Sequence, residues 1–197
     1  IHAVGRSKPF SSRLALTPEA YGDDSIRTLI EDRWIPAHLE TAFESLAGDL
    51  MIQVRHAYDR AGDVRNIRLH GDLHLGNLLW RDGPFFVDLD DCRSGPAVQD
   101  LWMLLSGDRF EMEEQLRDVL EGYKQFCDFD HRELQLVEAL RSLRMLHHAA
   151  WLARRWEDPA FPAAFPWFDG ARYWEELVLG LREQLSALQE HPLEPTP

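Results

Sequence analysis

The chain holds 197 residues, 22.9 kDa, which is enough to bury a core as one domain over 1–197. It carries 34 acidic against 21 basic side chains, a net charge of −13, with Lys and Arg scattered, so it lacks the basic footprint of a nucleic-acid-binding protein. Apolar residues make up 45% of the chain, but no run approaches the roughly eighteen that a membrane span needs, so neither nucleic acid nor membrane is an expected partner.

The first ten residues, "IHAVGRSKPF", show no apolar h-region and no small-residue cleavage site, unlike a secretory signal. The two cysteines, Cys92 and Cys127, stand apart without metal-type spacing, so reduced thiols and a cytoplasmic location are expected. Helical patterning then dominates. A short helix is expected over Thr17–Leu29, and a longer one from Pro36 to Arg60, where Leu39, Phe43, Leu46, Leu50 and Val54 recur at helical steps. Gly62 and Asp63 break it.

The pattern changes at Arg68, where "RLHGDLHLGNLLWRDGPFFVDLDD" interleaves two histidines, an asparagine and five acids with Leu, Phe and Val. Asn77–Trp80 and Phe85–Leu89 read as two short strands around "RDGP", and Asp-Gly between apolar runs signals a hairpin, with Pro84 favouring a loop longer than two residues. Helices resume over Ala97–Leu105, Glu111–Phe126, His131–Trp156 and Ala171–Gln189. Pro96 suits the start of the first, and Asp130 with Glu133 resembles a capping box at the start of the third. The Pro- and aromatic-rich stretch Glu157–Gly170 reads as a packed loop, and 190–197 as a frayed tail. The chain is therefore mainly α with a small β-hairpin, an α+β arrangement, and its unusual residues gather at that hairpin.

A hairpin folds Asn77 and Asp88 toward one another at its open end, with Asp72 on the loop leading in. Two oxygen ligands beside a third carboxylate suit Mg²⁺ bound through substrate phosphates, because this hard, well-hydrated cation needs few protein ligands. The spacing His70-x-Asp72-x-x-x-x-Asn77, followed by Asp88, is similar to the protein-kinase order of catalytic Asp, metal-binding Asn and a later metal-binding Asp. The stretch "LHGDLHLGNLLW…FFVDLDD" resembles the aminoglycoside phosphotransferase and choline kinase superfamily. Within it, "RDGPFFVDLDDCRSGPAVQDLWMLL" and "RRWEDPAFPAAFPWFDGARYWEE" resemble the bacterial stress response kinase A family of Ser/Thr kinases, from "IHAVG" to the last helix.

The resemblance implies the C-terminal lobe of a protein-kinase-like fold, with ATP and Mg²⁺ as nucleotide and cofactor and protein Ser/Thr as acceptor. It makes Asp72 the catalytic base and Asn77 and Asp88 the metal ligands. Asp90 becomes a secondary metal group or a support behind the ligands, and His70 and Asp100 brace the loop. The residues alone leave other readings open: an Asx turn at Asp72, a turn after Gly76 at Asn77, and strand-end acids at Asp88 and Asp91. His74 lies near enough to touch phosphate, but no role follows for it. Asp100 would in any case suit the first turn of a helix.

Nothing in the chain matches a Gly-rich phosphate loop, a strand lysine or its partner glutamate. The nucleotide-gripping N-lobe is thus expected to lie elsewhere, removed, separately encoded or lost. Only eleven residues separate Asp88 from Asp100, too few for a long phosphorylated activation segment, and a redox influence of Cys92 within them has no support. The tryptophans 102, 151, 156, 167 and 174 are expected in the core, and His147 and His148, on a long helix with no acid at metal-ligand spacing, are expected to be satisfied structural histidines. Three alternatives stand beside the Ser/Thr kinase: a small-molecule amine or alcohol kinase of the same fold, a non-catalytic binding module, and a metallophosphoesterase read from "GDLHLGN". The last lacks the further His and Asp ligands that its chemistry requires.

Overall fold

The computed structural model describes residues 1–8 and 10–195. In chain order the elements are α1 (His2–Gly5), α2 (Asp24–Glu31), α3 (Glu40–Ala61), β1 (Ile67–Leu69), β2 (Leu78–Trp80), β3 (Pro84–Phe86) and β4 (Arg93–Gly95). They continue with α4 (Val98–Trp102), α5 (Arg109–Tyr123), α6 (Val137–Arg155), α7 (Ala160–Ala164) and α8 (Ala171–Ala187). The residues group into two compact units. One comprises Ile1–Leu16, Arg60–Val137 and the chain end from Pro192; the other comprises Thr17–Asp59 and Glu138–His191.

The second unit is helical. On α3 the residues Phe43, Leu46, Leu50 and Val54 are all buried at three- and four-residue steps, as the spacing predicts. A single π-type turn over Glu19–Asp23 leads into α2, and Gly22 in it lies so close to Met51 that a Cβ there would fall 2.3 Å from the Met51 methyl. Helix α2 ends in a Schellman motif: Trp34 N–H donates to Leu29 O and Arg33 N–H to Ile30 O, with Arg33 at φ 56°. The Glu157–Gly170 stretch is no plain loop. It contains α7, tolerated because Pro162 falls in the first turn, where N–H groups lack intrahelical partners. Phe168 is fully buried and packs against Trp34, Trp156, Tyr173 and Trp174. Trp102 and Trp174 are buried as expected, but Trp167 stands 47% exposed, edge-on to Phe165 and tilted against Tyr173. The half-buried His147 stacks on Tyr21 and the exposed His148 on Trp151.

The first unit carries the strands. The expected hairpin is present as β2 and β3, paired Leu78↔Phe86 to Trp80↔Pro84 around Arg81–Gly83. Asp82 takes φ 54° at its tip, a conformation Asp tolerates better than most residues, and Pro84 occupies an edge position where its missing N–H costs no ladder bond. A second antiparallel ladder, β1 with β4, lies outside the sequence reading; it pairs Ile67↔Gly95 through Leu69↔Arg93. Leu16 N–H adds a bond to Ser94 O on its flank. Ile67, Leu69 and Ala97 form a small buried cluster against which Tyr123 packs.

The capping box falls elsewhere than expected. Asp108 and Glu111 form one at the start of α5. Asp130 instead accepts from Arg132, and Glu133 turns inward to accept Val98 N–H at 2.8 Å. Of the 190–197 segment, Pro192 O accepts from Arg109 and Leu193 is buried, while Thr196 and Pro197 lie outside the described residues.

Candidate active site

The β1–β4 ladder sets the geometry. Strand β1 ends at Leu69 and delivers His70 and Gly71; β4 ends at Gly95 and delivers α4. All five residues of α4 are buried, and its polar side chains turn onto the loop. Asp100 Oδ2 accepts from His70 N–H and Oδ1 from Gly71 N–H, each at 2.8 Å. Gln99 donates to Gly71 O at 3.1 Å and is itself held by the Trp102 indole N–H. The Gly71 peptide is thus clamped on both sides. Its φ of 88°, and a Cβ position only 2.3 Å from Asp91 O, restrict this site to glycine.

From Gly71 the chain turns back on itself. Asp72 O accepts both His74 N–H at 3.1 Å and the Asn77 side-chain amide at 3.0 Å. The His74 ring accepts Gly76 N–H through Nδ1, which leaves the proton on Nε2 and aims it at the Asp72 carboxylate, 3.7 Å away. The loop from Asp72 to Asn77 is therefore closed by its own side chains. Because the Asn77 nitrogen is spent on Asp72 O, its Oδ1 is the atom left for a cation.

Val87 joins this loop to the hairpin. Its N–H donates to Asn77 O at 3.1 Å, and its carbonyl accepts from His70 Nε2 at 2.8 Å. The fully buried His70 thus holds two parts of the site; its Nδ1 has no hydrogen-bond partner among the described residues. Immediately after Val87, Asp88 sits in the left-handed region at φ 59°, exposed, with no hydrogen bond or ion pair among the described residues. Such a conformation costs a non-glycine residue about 1–2 kcal/mol, and strained residues of this kind gather where a ligand is held. Arg13, distant in sequence, steadies the next turn by donating to Asp90 O and Cys92 O. The Asp90 carboxylate is exposed, whereas Asp91 pairs with Arg93 at 3.0 Å. Burial pushes the Cys92 thiol up, with Asp100 and Asp91 adding to the rise and Arg13 opposing it.

Among the described residues no group of three or more His, Cys, Asp or Glu side chains is arranged to hold a metal. The donors present are the Asn77 amide oxygen and the exposed carboxylates of Asp88 and Asp90. That sparse, all-oxygen set fits a cation such as Mg²⁺, which keeps most of its waters and takes the rest of its shell from phosphates.

Sequence reasoning missed four contributors: His2, Tyr123, Glu133 and Arg13. Each reaches the site across a separation of tens of residues, with no local signature to announce it. Burial pushes the Glu133 carboxyl up to about 7, although the Val98 N–H it accepts works the other way.

Residues 1–137 match the model of the phosphotransferase enzyme family. Over its full length the chain is 46% identical to stress response kinase A of Escherichia coli (strain K12) and 45% identical to stress response kinase A of Shigella flexneri. It is 43% identical to the Salmonella typhimurium (strain LT2) protein named serine/threonine protein kinase RdoA. In each case the chain spans 60% of the relative's length. No helix of the described residues is long and apolar enough to cross a membrane.

Proposed function

This chain belongs to the phosphotransferase enzyme family, and we propose that it supplies the catalytic base and metal ligands of an ATP- and Mg²⁺-dependent Ser/Thr protein kinase acting in the bacterial cytoplasm. One observation carries the reading. The Val87 peptide is bonded on one side to Asn77 and on the other to His70, and Asn77 is bonded back to Asp72, so His70, Asp72, Asn77 and Val87 belong to one hydrogen-bonded unit, with Asp88 next in the chain.

Asp72 is the base. Its carboxylate orients the acceptor hydroxyl and receives its proton as the hydroxyl oxygen bonds to the γ-phosphorus and the bond to the β–γ bridging oxygen breaks, releasing ADP. Asn77 Oδ1 and the Asp88 carboxylate hold the metal–phosphate group, and Asp90 stands behind them as a secondary support. The Mg²⁺ they would hold supplies charge neutralisation at the phosphates. His70 and Asp100 keep the loop in place, leaving Asp72 only its proton to manage.

In this reading the 197 residues form the C-terminal lobe of a kinase-like fold, and the nucleotide-gripping N-lobe lies outside them. Named relatives carry the Ser/Thr assignment and the stress-response context. Isothermal titration with ATP and Mg²⁺, paired with a radiolabel transfer assay, tests the division of labour. The chain by itself should bind no tighter than about millimolar and transfer nothing useful, since few direct Mg²⁺–protein bonds cannot replace a phosphate clamp. The full-length protein should do both. Micromolar binding by the chain alone would place the nucleotide site within it.

A further inference from the structure

Asp100 has a third partner that belongs to none of the loop residues. His2 Nε2 lies 2.8 Å from Asp100 Oδ2, and His2 Nδ1 lies 3.0 Å from the Tyr123 hydroxyl. His2 and Asp100 are both buried. The direction of each bond follows from the donors available. Asp100 only accepts, so His2 donates from Nε2, and in a neutral ring Nδ1 must then accept the Tyr123 proton. Tyr123 can give it, because burial pushes its hydroxyl up to about 12, with the charge of the nearby Arg6 opposing the rise. Arg6 is fixed in turn by its bond to Asp128 O. The bonds run one way: Tyr123 to His2, to Asp100, where they meet those from the His70 and Gly71 amides.

Helix α1, which carries His2, has no freedom to drift. Gly5 packs so closely on β1 that a Cβ there would fall 2.2 Å from Arg68 O, and Arg65 donates to Arg6 O. Tyr123 is the last residue of α5 and packs on Ile67, Leu69 and Ala97. A carboxylate free to rotate about its χ2 could not hold two adjacent amides with separate oxygens; an oriented donor on Oδ2 removes that freedom.

We propose that His2, oriented by Tyr123, is a positioning residue for phosphoryl transfer: it sets the Asp100 carboxylate, which sets the His70–Gly71 peptides and so the place of Asp72. The proposal rests on the reading of Asp72 as base, but its geometric core does not, and the two are separable by experiment. In the full-length protein, the His70 and Gly71 amide proton resonances report the bonds to Asp100, and steady-state kinetics report the base.

His2→Leu should shift both amide resonances upfield and lower kcat about tenfold, with KM for ATP and acceptor held within about twofold, since a small displacement of a reacting group costs turnover before binding. His2→Gln, which retains a donor near the Nε2 position, should restore most of both. Tyr123→Phe, which deletes one oxygen and keeps the ring packing, should move the same two resonances by a smaller amount, and it carries the test alone if His2→Leu does not fold. Unmoved amides in Tyr123→Phe, or identical behaviour of the Leu and Gln variants, would overturn the proposal. Amide shifts that follow the variants in a protein with no phosphotransfer activity would uphold the relay and sink the kinase reading instead.

Discussion

Two halves of the first unit hold the site in opposite ways. On one side, the β2–β3 hairpin and the turn after it are open to solvent: Leu79, Trp80, Phe85, Phe86 and Leu89 are exposed, and Asp88 takes a left-handed backbone and is unpaired among the described residues. On the other, α4 is only five residues long yet wholly buried, and its Asp100 and Gln99 are fully engaged. Asp88 and Asp90, which would face metal and phosphate, lie on the first side, while Asp100 and Gln99 on the second hold the loop that carries Asp72. A carboxylate meant to hold a metal keeps an oxygen open to it, whereas one meant to position a loop must be satisfied completely.

That contrast can be broken in four ways. The largest effect is expected from Asp72→Asn in the full-length protein, because the amide keeps the shape but cannot accept a proton. Transfer should fall about 10²–10⁴-fold, or roughly 3–5 kcal/mol of barrier, with an unchanged melting temperature. Near-normal turnover would remove Asp72 from the base role.

Asp100→Ala probes the opposite side and should show the opposite pattern, failing first in stability. It leaves the His70 and Gly71 amides and the His2 donor without an acceptor in a buried place, which costs about 3–5 kcal/mol, readable in urea unfolding. A loss under about 1 kcal/mol would mean that α4 does not hold the loop.

Glu133 gives the third effect, and its sign follows from linkage. Burial raises its carboxyl from 4.5 to about 7, so the folded state holds this proton more tightly than the unfolded chain does. Its contribution is complete below about pH 4.5 and declines as pH rises through 7. Glu133→Gln keeps an acceptor for Val98 N–H and removes the ionisation. It should flatten the stability profile between pH 5 and 8 and gain at most about 3 kcal/mol at the upper end. An unchanged slope in urea midpoints would assign the pH dependence to other groups.

Asp88→Gly is the smallest and most pointed test. It should relieve the left-handed backbone and raise stability by up to about 1 kcal/mol, less the entropy glycine returns to the unfolded chain. Mg²⁺-dependent nucleotide binding by the full-length protein should weaken at the same time, with partial recovery at higher Mg²⁺. A variant that is both stabilised and fully competent in binding would show that Asp88 is no ligand.

Much of this site could be read from residues in order. The His70-x-Asp72-x-x-x-x-Asn77 spacing and the Asp-Gly turn at 82–83 are local patterns, and local patterns survive the absence of a fold. The helical steps of α3 were equally legible, since burial on one face repeats with the helical period. What escaped was non-local. Strands β1 and β4 are three residues each and too short to show alternation, so only their pairing reveals them. Asp130 and Glu133 have capping-box spacing, but Val98 N–H at 2.8 Å takes the Glu133 carboxylate that the pattern assigned to its own helix. Trp167 has the composition of a core residue and lies at the surface because Phe168 beside it takes the buried place.

The sequence by itself determined which atoms are available for chemistry: a carboxylate at 72, an amide at 77, a carboxylate at 88, and a hairpin to bring the last two toward each other. Only the tertiary structure decided how they are held. His2 and Asp100 are 98 residues apart, and Tyr123 is 121 residues from His2. A hydrogen bond across such a separation has no periodicity or spacing to mark it. It exists because β1 pairs with β4, and that pairing seats α4 against the loop it braces.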